Sequence, residues 1–312
     1  MLTISEIKFP LGERSSSVWA LTSKGDTVLF DSGCRGDAET HIQPALKRLG
    51  IEPASVRAVI ASHPDVDHFG GASYWQQKFA AQVVAHRFDA ALMESHEVFL
   101  EQRANEFSKE FQVAESDEGL QWLRENGAEI SINQALDFET EYQIGEDLIH
   151  IIHLPGHSRG HLGVYEPKSK MVLISDAVLG AYVPYSDGSP SFPPTYRFVE
   201  NYIETIQRLM GMDFECLATA HYGSFSRQDG MQFLQRSLEF ATELENSVLR
   251  AISVATKTLP EILELVDNEI GLWPKPASPA ALAFPVFGHL EFLEKKGLVQ
   301  RTKGDLIAWH QV

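Results

Sequence analysis

Residues 62–71 read SHPDVDHFGG. His63, Asp65, Asp67 and His68 crowd into this short stretch, and two glycines follow. Imidazole and carboxylate groups are the usual nitrogen and oxygen ligands of zinc, iron and manganese. The preceding RAVIAS (57–62) is a short β-branched run that reads as a buried strand. A loop leaving such a strand with the spacing HxDxDH can aim alternate side chains into one cavity, while His68 turns towards a neighbouring metal. Gly70 and Gly71 are expected to let the backbone turn sharply into the next helix. The competing reading is a solvated loop that carries these residues by chance.

Three further stretches argue against chance. LPGHSRGH (154–161) puts His157 at a strand end before a glycine-containing turn. LISDAV (173–178) puts Asp176 at the end of an apolar strand, and LATAHYG (217–223) does the same for His221. A carboxylate or imidazole just past a buried strand is poorly explained as core filling. Several such strand ends converging on one sheet edge would build a metal site.

The rest of the chain sets bounds. Its 312 residues suffice for one large domain or a domain with an appendage. A hydrophobic content of 44% and a charged content of 22% are those of a soluble globular protein, and no run reaches the ~18 apolar residues of a membrane span. No membrane partner is expected. The start MLTISEIKFPLGERSSSVWA has no basic segment followed by an apolar one, so no secretory signal is expected. Cys34 and Cys216 make no disulfide framework, which fits a reducing, cytoplasmic setting. A formal net charge of −17 argues against a nucleic-acid partner. The expected partner is a small-molecule substrate, and a homodimer through the insert or the tail is compatible with the sequence.

Strand and helix patterns alternate. SVWALTS and TVLFDSG form a hairpin around KGD; HIQPALKRLG is a helix ending on Gly50; GASYWQQKF and AQVVAH continue a β/α rhythm. Residues from about 89 to 126 have helical spacing and read as an insert, either a scaffold or a lid and pocket wall. GAYVPYSDGSPSFPPTY (180–196) is a loop by composition, and Tyr182, Tyr185, Phe192 and Tyr196 are its candidate pocket aromatics. After His221 the pattern is mainly helical. The tail reads as a helix, a glycine stop and two strands around Lys303-Gly-Asp305, a winged-helix-like unit. Its bases are Lys295, Lys296, Arg301 and Lys303, and packing or pocket closure is favoured over DNA binding.

In order, HPDVDH, PGHSRGH, ISDA and TAHYG resemble the signature of the metallo-β-lactamase-fold superfamily, HxHxDH followed by His, Asp and His. The DSG at 31–33 is similar to the family's early Asp-x-Gly turn. The resemblance covers roughly residues 15–225. It implies an α/β fold, an αββα sandwich, over 1–228, with a helical and winged-helix-like extension over 229–312. It implies two divalent metal ions, zinc, manganese or iron. His63, Asp65 and His157 would hold the first, Asp67, His68 and His221 the second, and Asp176 would bridge them. Asp67 would be catalytic, orienting a metal-bound hydroxide or passing a proton to the leaving group. The reaction implied is hydrolysis of an ester, thioester or lactone. His161 would support the site from behind.

Asp65 departs from the family's pattern, which has histidine there. A carboxylate is shorter than an imidazole and adds negative charge. By itself it would make the site more neutral, weaken it as a Lewis acid and favour harder ions such as manganese or iron. A di-iron oxidoreductase acting on oxygen or nitric oxide is therefore the alternative enzyme, and a ligand-binding protein on a decayed metal scaffold is the non-enzyme one. Cys34 reads as a buried structural thiol, and Tyr222 is a candidate oxyanion donor.

Overall fold

The computed structural model describes residues 1–274, 279–302 and 306–312. Lys303 and the Lys-Gly-Asp turn therefore lie outside the described residues. The first sheet runs in chain order: β1 (Thr3–Leu11), β2 (Arg14–Ser23), β3 (Asp26–Phe30), β4 (Val56–Ile60), β5 (Gln82–His86) and β6 (Gln134–Leu136). β1 to β3 are antiparallel, and β3 to β6 are parallel.

β7 (Thr140–Ile144), β8 (Asp147–His153), β9 (Leu162–Glu166) and β10 (Met171–Ser175) belong to the second sheet. The Pro-rich loop, expected to lack structure, contains a small hairpin of β11 (Val183–Pro184) and β12 (Pro190–Phe192). β13 (Cys216–Thr219) then joins β10 in parallel, and β14 (Ser224–Ser226) completes the order β14-β13-β10-β9-β8-β7.

Alternation along the strands sorts the side chains into layers. Trp19, Leu21, Val28, Phe30, Ala58 and Ile60 of the first sheet meet Ile149, Ile151, Val164, Leu173 and Ala218 of the second in an inter-sheet core. Their neighbours Val18, Ala20, Leu29 and Val59 face outwards and are covered by Ile42, Leu46, Phe69 and Trp75. On the far side Ile152, Val172, Ile174 and Leu217 pack under the C-terminal helices. The result is the αββα sandwich that the sequence predicts. Burying each large aliphatic side chain contributes about 1.5–3 kcal/mol.

The insert is helical but discontinuous. It is broken into Arg87–Glu94, His96–Phe99, Ser108–Phe111 and Asp117–Asn126, with a π-type turn at Leu100–Ala104. Downstream come helices Arg227–Ala251, Leu259–Ile270 and Pro279–Lys295. A capping box of Thr258 and Glu261 starts the second of these. The tail strands β16 (Val299–Arg301) and β17 (Ala308–Gln311) gain a third partner in β15 (Lys257–Thr258), which the sequence reading lacked. Phe107 and Phe111 of the insert share one apolar cluster with Phe284, Phe287 and Trp309. Among the described residues no helix is long and apolar enough to cross a membrane.

Candidate metal centre

The parallel strands β3 and β4, and β10 and β13, end at the edge where the sequence motifs lie. Asp31 follows β3, His63 follows β4, Asp176 follows β10 and His221 follows β13. The loop after β4 is held down tightly. Ser32 donates from its backbone N and its Oγ to the carbonyl of His68, at 2.7 and 3.0 Å. Gly71 packs so closely on this contact that a Cβ there would sit 2.0 Å from the Ser32 carbonyl oxygen. Gly70 and Gly71 have ordinary right-handed helical conformations. The expected sharp turn is thus corrected: glycine is required by close approach of two chain segments rather than by an unusual φ.

Two three-residue groups face one another. His63, His157 and Asp176 form one, and Asp67, His68 and His221 the other, with the candidate ligand atoms of each group within 4.8 Å of one another. Asp176 lies between them. Its Oδ2 is 3.4 Å from His68 Nε2, 3.3 Å from His221 Nε2 and 4.0 Å from His63 Nε2. Asp67 Oδ2 is 3.5 Å from His68 Nε2 and 3.7 Å from His221 Nε2. Folding therefore gathers six of the seven expected ligands into two cups.

Each histidine has its other nitrogen directed away from the cups. His63 Nδ1 is 2.8 Å from Ser62 Oγ, which donates to Ser175 Oγ, which donates to Asp31 Oδ2. That chain ends on a carboxylate, an acceptor only, so it requires His63 to donate from Nδ1 and keep its Nε2 lone pair for the site. His68 Nδ1 donates to Asp31 Oδ2 at 3.0 Å, and His221 Nδ1 to the Ser15 carbonyl at 3.0 Å. Thr195 Oγ1 stands 3.5 Å from His157 Nδ1. Asp31 also takes the backbone N–H of Ser62 and sits at φ +66°, an uncommon conformation for a residue with a side chain.

The buried Nε2 atoms of His63 and His68 and Oδ1 of Asp176 have no hydrogen-bond partner. Orphaned polar atoms in a buried site are costly unless something coordinates them. The electrostatics point the same way. Burial disfavours charge on His68, yet Asp67 and Asp176 outweigh it and hold its pKa well above the usual range. A field that draws a proton to Nε2 also draws a metal cation. His63 is pulled down, first by burial and then by His68 and His157, and so keeps its lone pair. The donor set fits divalent metal ions.

Asp65 is placed differently. Its Oδ2 is 2.9 Å from His157 Nε2 and 3.6 Å from His63 Nε2, so it borders the first cup. It precedes the helical turn Val66–Phe69, but its side chain makes no cap. Instead Arg103 of the insert grips it with both arms, Nε to Oδ1 at 3.0 Å and Nη2 to Oδ2 at 3.1 Å. Burial pushes the Asp65 pKa up, but Arg103 and then His157 hold it well below the carboxylate range. Arg103 was not singled out in the sequence, and no local signal marks it.

The supporting residues are also distributed. Asp89 of the insert is buried and accepts from Ser158 Oγ at 2.5 Å and Gly160 N at 3.1 Å, pinning the turn that carries His157. His161 is fully buried and stacks on His63, with ring centroids 4.9 Å apart. Tyr222 is not an oxyanion donor, because its hydroxyl is directed to the backbone carbonyls of Leu179 and Tyr182. Cys34 is buried, and burial followed by Asp67 and Asp37 pushes its thiol pKa up, as suits an inert thiol.

A cleft opens over the cups. Its walls include Phe99, Trp122 and Leu123 from the insert, Phe192 from the Pro-rich loop, and Phe284 from the C-terminal helix. The insert is thus a wall, and the tail contributes to the pocket. Tyr196 is buried instead, 3.0 Å from His289. Of the tail's described bases, Lys295 pairs with Glu200, Lys296 with Glu245 and Arg301 with Glu294.

Comparison with known proteins gives the same picture. The profile of the Metallo-beta-lactamase superfamily matches residues 11–221. The chain is 23% identical over 217 residues to the hydroxyacylglutathione hydrolase GloC of Haemophilus influenzae, covering 69% of this chain and 87% of that protein. It is 24% identical over 188 residues to the probable metallo-hydrolase YybB of Bacillus subtilis, covering 60% and 70%. Its fold is similar to that of a metallo-beta-lactamase family protein from Thermus thermophilus, with a TM-score of 0.79 at 18% identity over 100% and 98% of the two chains. A beta-lactamase domain protein from Burkholderia ambifaria gives a TM-score of 0.75 at 16% identity over 99% and 92%.

Proposed function

The chain belongs to the metallo-beta-lactamase superfamily, and from that premise we propose that it hydrolyses an ester, thioester or lactone with an apolar acyl portion, at a site for two divalent metals. The observation that carries this reading is Asp176 standing between two three-donor cups, in which the buried Nε2 atoms of His63 and His68 have no hydrogen-bond partner.

Bound divalent ions would supply an acidified water and polarise a substrate carbonyl. His63, His157 and Asp176 would hold one ion, with Asp65 at its edge, and Asp67, His68 and His221 the other. The protein's own work is then positional. Phe99, Trp122, Leu123, Phe192 and Phe284 offer an apolar wall that would orient the acyl group and exclude water. Arg14, on the same cleft, stacks over Phe192 at 5.4 Å and presents a cation to a polar end of the substrate. Asp67, with its carboxylate open to the cleft, is the group suited to hold a proton and pass it to the leaving oxygen or sulfur. Zinc, manganese and iron all suit this donor set. Because Arg103 offsets Asp65, the preference for a harder ion weakens, and with it the case for a di-iron oxidoreductase.

The test is metal analysis of protein purified without added metal, followed by assays of the zinc- and manganese-loaded forms on acyl esters, thioesters and lactones. Two bound ions and turnover that is lost in Asp67→Asn are expected. Failure to bind any metal under any loading condition would sink the reading.

A further inference from the structure

Asp65 and Arg103 are far apart in sequence but meet as a fork on a carboxylate, at 3.0 and 3.1 Å. The guanidinium is nearly enclosed, with its side chain 8% exposed, and its carbon lies 4.4 Å from the Phe284 ring centroid. Arg103 Nη2 also comes within 3.3 Å of His157 Nε2. The cation is therefore built into the rim of the first cup, delivered by the π-type turn Leu100–Ala104. Such turns recur at functional sites.

We propose that Asp65 and Arg103 act together as one neutral donor unit at the first metal position, replacing an imidazole, with Arg103 as its charge-balancing residue. This rests on the dinuclear reading above. Two dications set against Asp65, Asp67 and Asp176 leave a single positive charge. Arg103 restores the second, which is the sum an imidazole at position 65 would give with no arginine present. The carboxylate retains lone pairs towards His63 and His157, since each oxygen accepts more than one bond.

The signs follow from Coulomb's law. Asp65→His leaves a nearly enclosed arginine without its carboxylate and beside an incoming dication, so the first metal is repelled. Arg103→Gln removes that repulsion. Zinc affinities are to be measured by competition with a chromophoric chelator on metal-free protein, with folding checked by circular dichroism. Asp65→His should bind one zinc equivalent about 10–100-fold more weakly than wild type. The double variant Asp65→His/Arg103→Gln should recover to within a few-fold. Arg103→Gln alone should bind at least as tightly as wild type, and Arg103→Lys should match wild type within a few-fold.

Asp65→His binding two zinc ions as wild type does, with Arg103 present, would overturn the proposal. So would a folded Arg103→Gln that has lost tenfold or more, since orientation and not charge would then be the role. If Asp65→His does not fold, the Arg103→Gln sign decides alone. A wild type that binds no metal would remove the dinuclear reading itself, whereas a metal-binding wild type with unresponsive variants removes only this inference.

Discussion

Asp31 Oδ2 stands 3.0 Å from His68 Nδ1, and the same oxygen takes the hydroxyl of Ser175 at 2.7 Å. One carboxylate thereby fixes a histidine of the second cup directly and a histidine of the first through Ser175 and Ser62. Replacing it should be felt in both cups. Asp31→Ala is expected to weaken zinc binding by about 10–100-fold, and Asp31→Asn by less, read by zinc titration of the folded variants. Binding unchanged in Asp31→Ala would show that the histidines are held by packing alone.

The turn that carries His157 depends on Asp89. Removing its carboxylate strands the Ser158 hydroxyl and the Gly160 N–H in a buried setting. Each stranded group costs about 1–3 kcal/mol. Asp89→Ala should therefore lower the urea midpoint at nearly unchanged m, and urea denaturation of metal-free protein measures it. An unshifted midpoint would contradict this anchoring.

Arg197 ties three segments together. It donates from Nε to Glu106 of the insert at 2.7 Å and from Nη1 to Glu291 of the C-terminal helix at 2.6 Å, and it lies over Phe287 at 4.7 Å. Arg197→Ala is expected to destabilise the protein by about 2–3 kcal/mol and to raise proteolytic nicking within residues 100–116. Limited proteolysis with mass spectrometry tests both the place and the sense of the change.

The wall of the cleft gives a prediction on specificity. Trp122 is 39% exposed and lines the cleft, so its loss need not disturb the core. Trp122→Ala should raise KM for long-chain acyl substrates by roughly tenfold, the equivalent of about 1.4 kcal/mol of lost apolar contact. KM for acetyl substrates should change little. Equal effects on short and long chains would remove Trp122 from the acyl-binding wall.

His86 supplies a pH dependence away from the metal ligands. It is buried, stacks on His153 at 4.4 Å, and accepts the Phe88 N–H at its Nδ1. Burial, and then His153, pull its pKa from 6.5 down to about 4. A histidine lowered on folding contributes stability that is complete above the unfolded value. Between pH 6.5 and 4 the unfolded chain takes up the proton first, so stability falls as pH falls. Metal-free wild type should lose Tm over this window more steeply than His86→Asn, which can cap the helix without titrating. Parallel curves for the two proteins would rule out His86 as a contributor.

Much of this was legible because ligands sit where strands stop. His63, Asp176 and His221 each follow a short apolar run, and a run that ends on a metal-type side chain carries both fold and site in one stretch. β1 was missed although Ile7, Phe9 and Leu11 alternate with the exposed Lys8 and Pro10, because it is a sheet edge that also carries a proline. β14, three residues of Ser-Phe-Ser, holds no pattern long enough to read. Arg103 and Asp89 were invisible for a different reason. Their partners lie on other loops, and nothing in a lone arginine or aspartate of a helical insert states which distant carboxylate or hydroxyl it will meet. Counting the Asp65 anion alone accordingly leaves out the Arg103 cation that faces it.

The aromatic cluster that joins Phe107 and Phe111 to Phe284, Phe287 and Trp309 sets a timetable for the maturing protein. By the time His221 has left the ribosome, every candidate ligand has been synthesised. The far wall of the cleft has not yet been made, and the insert's phenylalanines still face water. The order of synthesis thus separates the donor set, complete at His221, from the far wall of the cleft, which waits for Phe284.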